Sequence, residues 1–212
     1  MRMNLRIAAW VGAAALTAAA PAAAVPMLID FEADPVGGKA NGFNPIGHPG
    51  VHFSDTVGSG LFVGNFGVES GGTKGLAVFN DTDGGILNIA FDLALTFLGL
   101  SYGNDDPNFS NAGDLAVLTA YLGAAQVGQV TQVFNRDDIM NQTITIGGLF
   151  DRVTFAYTNP ALAPFTGGST NTGLIEIVDS IEYEAVPEPG TLLLIGTGLA
   201  GLAMRRRRQL SN

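Results

Sequence analysis

The chain contains no cysteine, which excludes disulfides, thiol catalysis and zinc–thiolate centres and leaves packing or a bound ion to supply stability. It has one tryptophan, Trp10, and two histidines, His48 and His52. With so few imidazoles and no Gly-x-Ser-x-Gly turn, a Ser-His-Asp hydrolase has little footing. Basic residues are scarce away from the ends. Residues 25–190 carry nineteen acidic side chains against Lys39, Lys74, Arg136 and Arg152, a formal charge of −15 where the whole chain carries −9. A surface of that sign disfavours nucleic acid and anionic lipid, and is compatible with divalent cations and neutral glycans. The same region shows no long helical period and no internal repeat.

The two ends have a different character. Arg2 and Arg6 precede an apolar run over 7–20, and Ala22 and Ala24 supply the small residues that signal peptidase accepts. Residues 1–24 therefore read as a secretory signal peptide cleaved after Ala24. At the other end Pro187, Glu188 and Pro189 interrupt regular backbone bonding, residues 191–204 are apolar, and Arg205, Arg206, Arg207 and Arg208 follow. A helix over those fourteen apolar residues reaches only about 21 Å, against a hydrocarbon core of about 30 Å. It is a short transmembrane helix that spans with help from snorkelling arginines, and the arginine cluster stays cytoplasmic, holding the preceding domain outside.

The stretch VPEPGTLLLIGTGLAGLAMRRRRQ resembles the C-terminal signal of the PEP-CTERM family, exported proteins of Gram-negative bacteria that make extracellular polysaccharide. The resemblance implies an inner-membrane intermediate, processing by an exosortase near the Pro-Glu-Pro, and a final place at the cell surface or outside the cell. The organisation expected is a signal peptide at 1–24, an exported domain at 25–184 and a sorting signal at 185–212.

Within the exported domain, Gly, Asn, Asp, Ser and Thr punctuate short runs of Val, Ile, Leu, Phe and Tyr every eight to twelve residues or so, which predicts an all-β sandwich. Strands are expected at 28–32, 51–53, 60–63, 76–79, 86–91, 95–102, 115–122, 127–134, 143–146, 152–157 and 174–183. The alternation is clearest over 152–157, where Val153, Phe155 and Tyr157 share a face. Leu28-Ile-Asp-Phe-Glu32, Gly50-Val-His-Phe-Ser54 and Val178-Asp-Ser-Ile-Glu-Tyr183 resemble the terminal strands of jelly-roll modules. That resemblance implies first and last strands side by side, with a structural calcium between them.

Strict alternation of the last strand would put Asp179 in one row with Ile175, Ile177, Ile181 and Tyr183. A carboxylate in an apolar row needs donors, a cation, or a bulge that turns it outward. Asp30 and Glu32 on the first strand lie opposite Ile29 and Phe31, so a bulge would let Asp30, Glu32 and Asp179 form a calcium site. A bulge or an Asp-to-backbone bond without metal explains Asp179 equally. Asp81 and Asp83 alternate like the opening of an EF-hand loop, but the closing glutamate is missing and a hairpin turn accounts for them. Phe109 and Phe165, in polar loops, are the candidate sugar-stacking residues. The expectation is a single jelly-roll-like sandwich that is not an enzyme but a structural or binding component associated with exopolysaccharide. Its processing partners are signal peptidase and an exosortase. The alternatives are a polysaccharide hydrolase with paired carboxylates and a calcium-dependent adhesion module.

Overall fold

The computed structural model describes residues 24–58, 60–67, 71–78, 85–103, 110–137, 139–162, 174–186 and 198. One compact unit runs from Ala24 to Val186. Its regular elements are ten strands: β1 (Pro26–Ile29), β2 (Gly37–Lys39), β3 (Val51–Asp55), β4 (Leu61–Gly64), β5 (Gly75–Val78), β6 (Leu87–Gly103), β7 (Leu115–Leu122), β8 (Ala125–Val133), β9 (Gln142–Thr158) and β10 (Ile177–Ala185). Every pairing between them is antiparallel, in the order β2-β4-β5-β10-β6-β9-β7-β8, with β1 beside β10 and β3 beside β6. The all-β, jelly-roll-like expectation holds, including the contact of first and last strands, where Met27 faces Tyr183.

β6 and β9, seventeen residues each, organise the sheet. The sequence reads each as two strands, because Asp92 and Gly147-Gly148 look like turns. They are bends instead. The β6–β9 ladder shifts register between Ala90 and Leu95 and again between Leu95 and Phe97, and Gly148 takes φ 121°, a left-handed value that a Cβ would strain. The first half of β6 pairs with β3 and with the second half of β9; its second half pairs with β10 and the first half of β9. One hydrogen-bonded sheet thus folds over into two facing layers that share two strands.

The alternation that marked 152–157 fills the space between the layers. Val153, Phe155 and Tyr157 are buried, and Tyr102 from the other half of β6 meets Phe155 and Tyr157 at ring-centroid distances of 5.3 and 6.2 Å. Phe134 completes the group, 5.1 Å from Tyr157. Phe31 meets Phe53 edge-on at 5.6 Å, and Phe91 meets Tyr183 at 5.3 Å. Burying each such side chain stabilises the fold by about 1.5–3 kcal/mol relative to leaving it in water.

β10 changes face midway. Val178, Ile181 and Tyr183 belong to the main core, whereas Ile177 belongs to a second cluster with Ala77 and Met140. The switch is a bulge between Asp179 and Glu182 in the pairing with β6, with Ser180 at φ 48°. Asp179 consequently leaves the row of Ile181 and Tyr183, as the bulge alternative anticipated.

Candidate functional site

The first and last strands meet where the calcium site was expected, but Asp30, Glu32 and Asp179 do not assemble it. Among the described residues no three His, Cys, Asp or Glu side chains group so as to hold a metal ion. The carboxylates grip a loop. Glu32 Oε1 accepts the backbone N–H groups of Thr73 and Lys74 at 2.6 and 2.8 Å, and Oε2 accepts the Thr73 hydroxyl at 3.1 Å. Asp179 Oδ2 accepts the N–H of Gly71 at 2.8 Å, while Asp30 Oδ1 turns back to the N–H of Glu32. The Lys74 ammonium donates to the carbonyl oxygens of Glu32 and Asp34 at 2.6 and 2.9 Å, so the chain's own cation sits among oxygens that a metal would otherwise share. The Thr73 N–H above all, then those of Lys74 and its charge, hold the Glu32 carboxyl below its ordinary range. A Cβ on Gly71 or Gly72 would meet Ser180 Oγ or Glu32 Oε1, so a larger residue at either place would push those side chains off the loop.

This use of acids recurs. Asp34 accepts the Ile46 N–H, Asp55 those of Val57 and Gly60, and Asp151 that of Gly123. Asp114 accepts the Asn111 N–H and the Asn159 amide, and Glu176 the N–H of Tyr157. Asp34, Asp55, Asp114, Glu176 and Asp179 are all buried; all but Glu176, whose donor is Tyr157 of β9, carry backbone donors that loops leave outside the ladders.

His48 borders a pocket of about 350 Å³ at the end of the sandwich where β1 and β10 meet β3 and β6, and His52 bonds Asp92, another of its lining residues. Its walls are mostly apolar, from Met27, Val51, Phe91, Leu93, Leu95 and Tyr183. His48 Nδ1 lies 3.0 Å from the Tyr183 hydroxyl, and burial pushes the Tyr183 phenol above its ordinary pKa. His52 is clamped on both sides. The Asn44 amide nitrogen also reaches the carbonyls of Pro49 and Val51, which fixes its orientation and makes His52 Nδ1 an acceptor; Nε2–H then donates to Asp92 Oδ1 at 2.9 Å. Among the described residues these bonds bring no serine or threonine hydroxyl to either ring, and the pocket has the mostly apolar walls of a small-ligand site. Sequence alone noted the histidines as a scarce pair. It missed Asp92 and Tyr183 as their partners because those contacts join segments distant in sequence, and Asn44 because a lone loop amide eight residues away shows no pattern.

Phe109 and Phe165, and the sorting residues Pro187, Glu188, Pro189, Arg205, Arg206, Arg207 and Arg208, lie outside the described residues, as do the signal-peptide segment and the helix expected over 191–204. Among the described residues no helix is long and apolar enough to cross a membrane.

No curated protein matches the chain in sequence. Among solved structures, the K2 cleaved adhesin domain of Lys-gingipain is similar over 75% of this chain and 99% of that one, with 12% identity and a TM-score of 0.46. Residues 185–208 match the PEP-CTERM protein-sorting motif. Export and a cell-surface or extracellular location follow from that motif, and the chain is an all-β exported protein that carries the sorting signal of an exosortase substrate.

Proposed function

We propose that this protein is a non-catalytic surface or matrix component that associates with extracellular polysaccharide once its C-terminus has been processed from an inner-membrane intermediate. The observation that carries the reading is the sorting motif at residues 185–208, a signal whose family resemblance implies a polysaccharide-producing cell. The domain behind it, with its large acidic excess, suits a neutral glycan better than nucleic acid or anionic lipid.

The rival reading is a hydrolase with paired carboxylates. Glycoside hydrolysis needs one carboxyl group free to give a proton and a second free to attack or to activate water. Glu32, Asp114, Glu176 and Asp179 instead accept bonds from the chain itself, which favours the non-catalytic reading.

The test uses protein recovered from the medium or surface of its own host, incubated with polysaccharide washed from the same cells. Co-sedimentation without new reducing ends is expected, with an intact mass that stops near the Pro-Glu-Pro. New reducing ends would replace the reading with a hydrolase. A recovered chain still ending in Ser211-Asn212 would remove the processing step.

A further inference from the structure

The outward face of one layer differs in composition from the rest of the domain. Register sets Ser54 of β3 opposite Asn88 of β6, Asn88 opposite Thr154 of β9, Thr154 opposite Thr119 of β7, and Thr119 opposite Gln129 of β8. Five adjacent strands each place one uncharged hydrogen-bonding residue in a single row, of which Thr119 is buried and bonded by Gln129 while the other four are at least partly exposed. At a strand spacing of about 4.8 Å that row is roughly 19 Å long, enough for several sugar rings laid across the strands.

The neighbouring row runs His52, Ala90, Arg152, Tyr121, and it ends with the Arg152 guanidinium 3.8 Å above the centre of the Tyr121 ring. On the other side Ala156 stands opposite Val117, and Val117 opposite Thr131. A shallow groove of about 220 Å³ lies among Ile86, Val117, Thr119, Tyr121, Gln129 and Thr154. The three rows contain no carboxylate, in a region whose formal charge is −15. One carboxylate, Asp92, stands exposed beside them and accepts the His52 Nε2–H at 2.9 Å. The polar groups are held in place as well: Gln129 Nε2 donates to Thr119 Oγ1 at 3.0 Å, and Arg152 Nη1 to Asn88 Oδ1 at 3.3 Å.

We propose that this face is a binding surface for a neutral polysaccharide lying across β3, β6, β9, β7 and β8. Hydroxyl and amide side chains both donate and accept, which matches sugar hydroxyls without desolvating a charge. The Tyr121 ring, stacked with the Arg152 guanidinium, supplies a flat aromatic surface for the C–H face of a sugar ring. Because neighbours already hold the row in place, little side-chain entropy is lost on binding. The acid-free rows accept a neutral chain, while the acidic remainder of the domain repels a polyuronate.

The proposal rests on the polysaccharide-association reading, and the test separates the two. Mature protein from the host is titrated calorimetrically with three probes: the host's own washed polysaccharide, a neutral glucan hexasaccharide and a polyuronate of the same length. Thr154→Asp puts a carboxylate into the row and Tyr121→Ala removes the flat aromatic surface. Thr145→Asp makes the same charge change on the exposed first half of β9, and all variants are checked by thermal melting. Binding of host polysaccharide and neutral glucan, weakened roughly tenfold or more by Thr154→Asp and by Tyr121→Ala but not by Thr145→Asp, is the expected result. Wild-type binding that neither face variant weakens overturns the placement and leaves the broader reading intact. Preference for the polyuronate overturns the charge argument. No binding of any probe by the wild type removes the broader reading and this surface together.

Discussion

Tyr102 and Tyr157 share one aromatic cluster, yet their hydroxyls have opposite fates, which makes them a matched pair for measurement. The Tyr157 hydroxyl donates to the Gly103 carbonyl at 2.7 Å, wholly inside the protein. Burial first, then the Glu176 carboxylate and Tyr102, raise its pKa well above the ordinary value, so it stays a donor throughout the working pH range. Tyr157→Phe deletes that donor while leaving the acceptor buried, which costs about 1–2 kcal/mol. The Tyr102 hydroxyl is equally buried but has no hydrogen-bond partner among the described residues. Tyr102→Phe removes a polar group that was dehydrated without return, worth about 1–3 kcal/mol, and gives up only the slight dispersion contacts of one oxygen. The expected change runs from neutral to about 1 kcal/mol of stabilisation. At about 2–4 °C per kcal/mol for a domain of this size, the two variants should melt on opposite sides of the wild type, or Tyr102→Phe should coincide with it. Urea titration followed by tyrosine fluorescence gives the free energies, and the double variant shows whether the effects add. Loss of more than about 1 kcal/mol in Tyr102→Phe would refute the reasoning, because it requires a partner, such as a buried water, that the packing does not provide.

Four further outcomes are expected. Because Glu32 titrates below its ordinary 4.5 in the folded state, its contribution is fully present above that pH and disappears as pH falls through the depressed value; the melting-temperature gap between wild type and Glu32→Gln should therefore close on acidification, and a constant gap contradicts the clasp. Lys74→Met should lower the melting temperature, whereas EDTA should leave the wild type unmoved; a chelator-induced drop would mean that a metal, not the ammonium, bridges those carbonyls. Leu98→Ala, in the fully buried centre of β6, should cost about 2–5 kcal/mol by denaturant titration. Gly72→Ala should destabilise in proportion to how far Glu32 has to retreat, and Glu32→Asp in the same background should restore part of the loss.

The core was legible in sequence where side-chain alternation alone decides structure. β7 runs over 115–122 as read, and Val153, Phe155 and Tyr157 point inward as their spacing required. β2 was missed because Gly37-Gly-Lys39 offers no apolar side chain to alternate, and its place is set by pairing with β4. β6 and β9 were each cut in two because an acidic residue or a glycine pair marks a bend as readily as a turn, and only the partner strand tells them apart. Asp179 announced itself as an anomaly in an apolar row. Its resolution was hidden, since Gly71 to Lys74 reads as loop punctuation until Glu32 and Asp179 are seen holding that segment's amides. The polar row across five strands was invisible for a simpler reason: its members are separated by up to a hundred residues, and register alone aligns them.

The position of β10 has a consequence for how the molecule is made. The final strand lies inside the sheet, flanked by β1 and β5 on one side and β6 on the other, with Pro26 opposite Glu184. A chain threaded across a membrane from its N-terminus delivers these residues last, immediately ahead of the signal at 185–208. Until they arrive, three strands lack their common neighbour and the long-range closure that completes the architecture cannot occur. Closure of the sheet thus depends on the residues that directly precede the sorting motif.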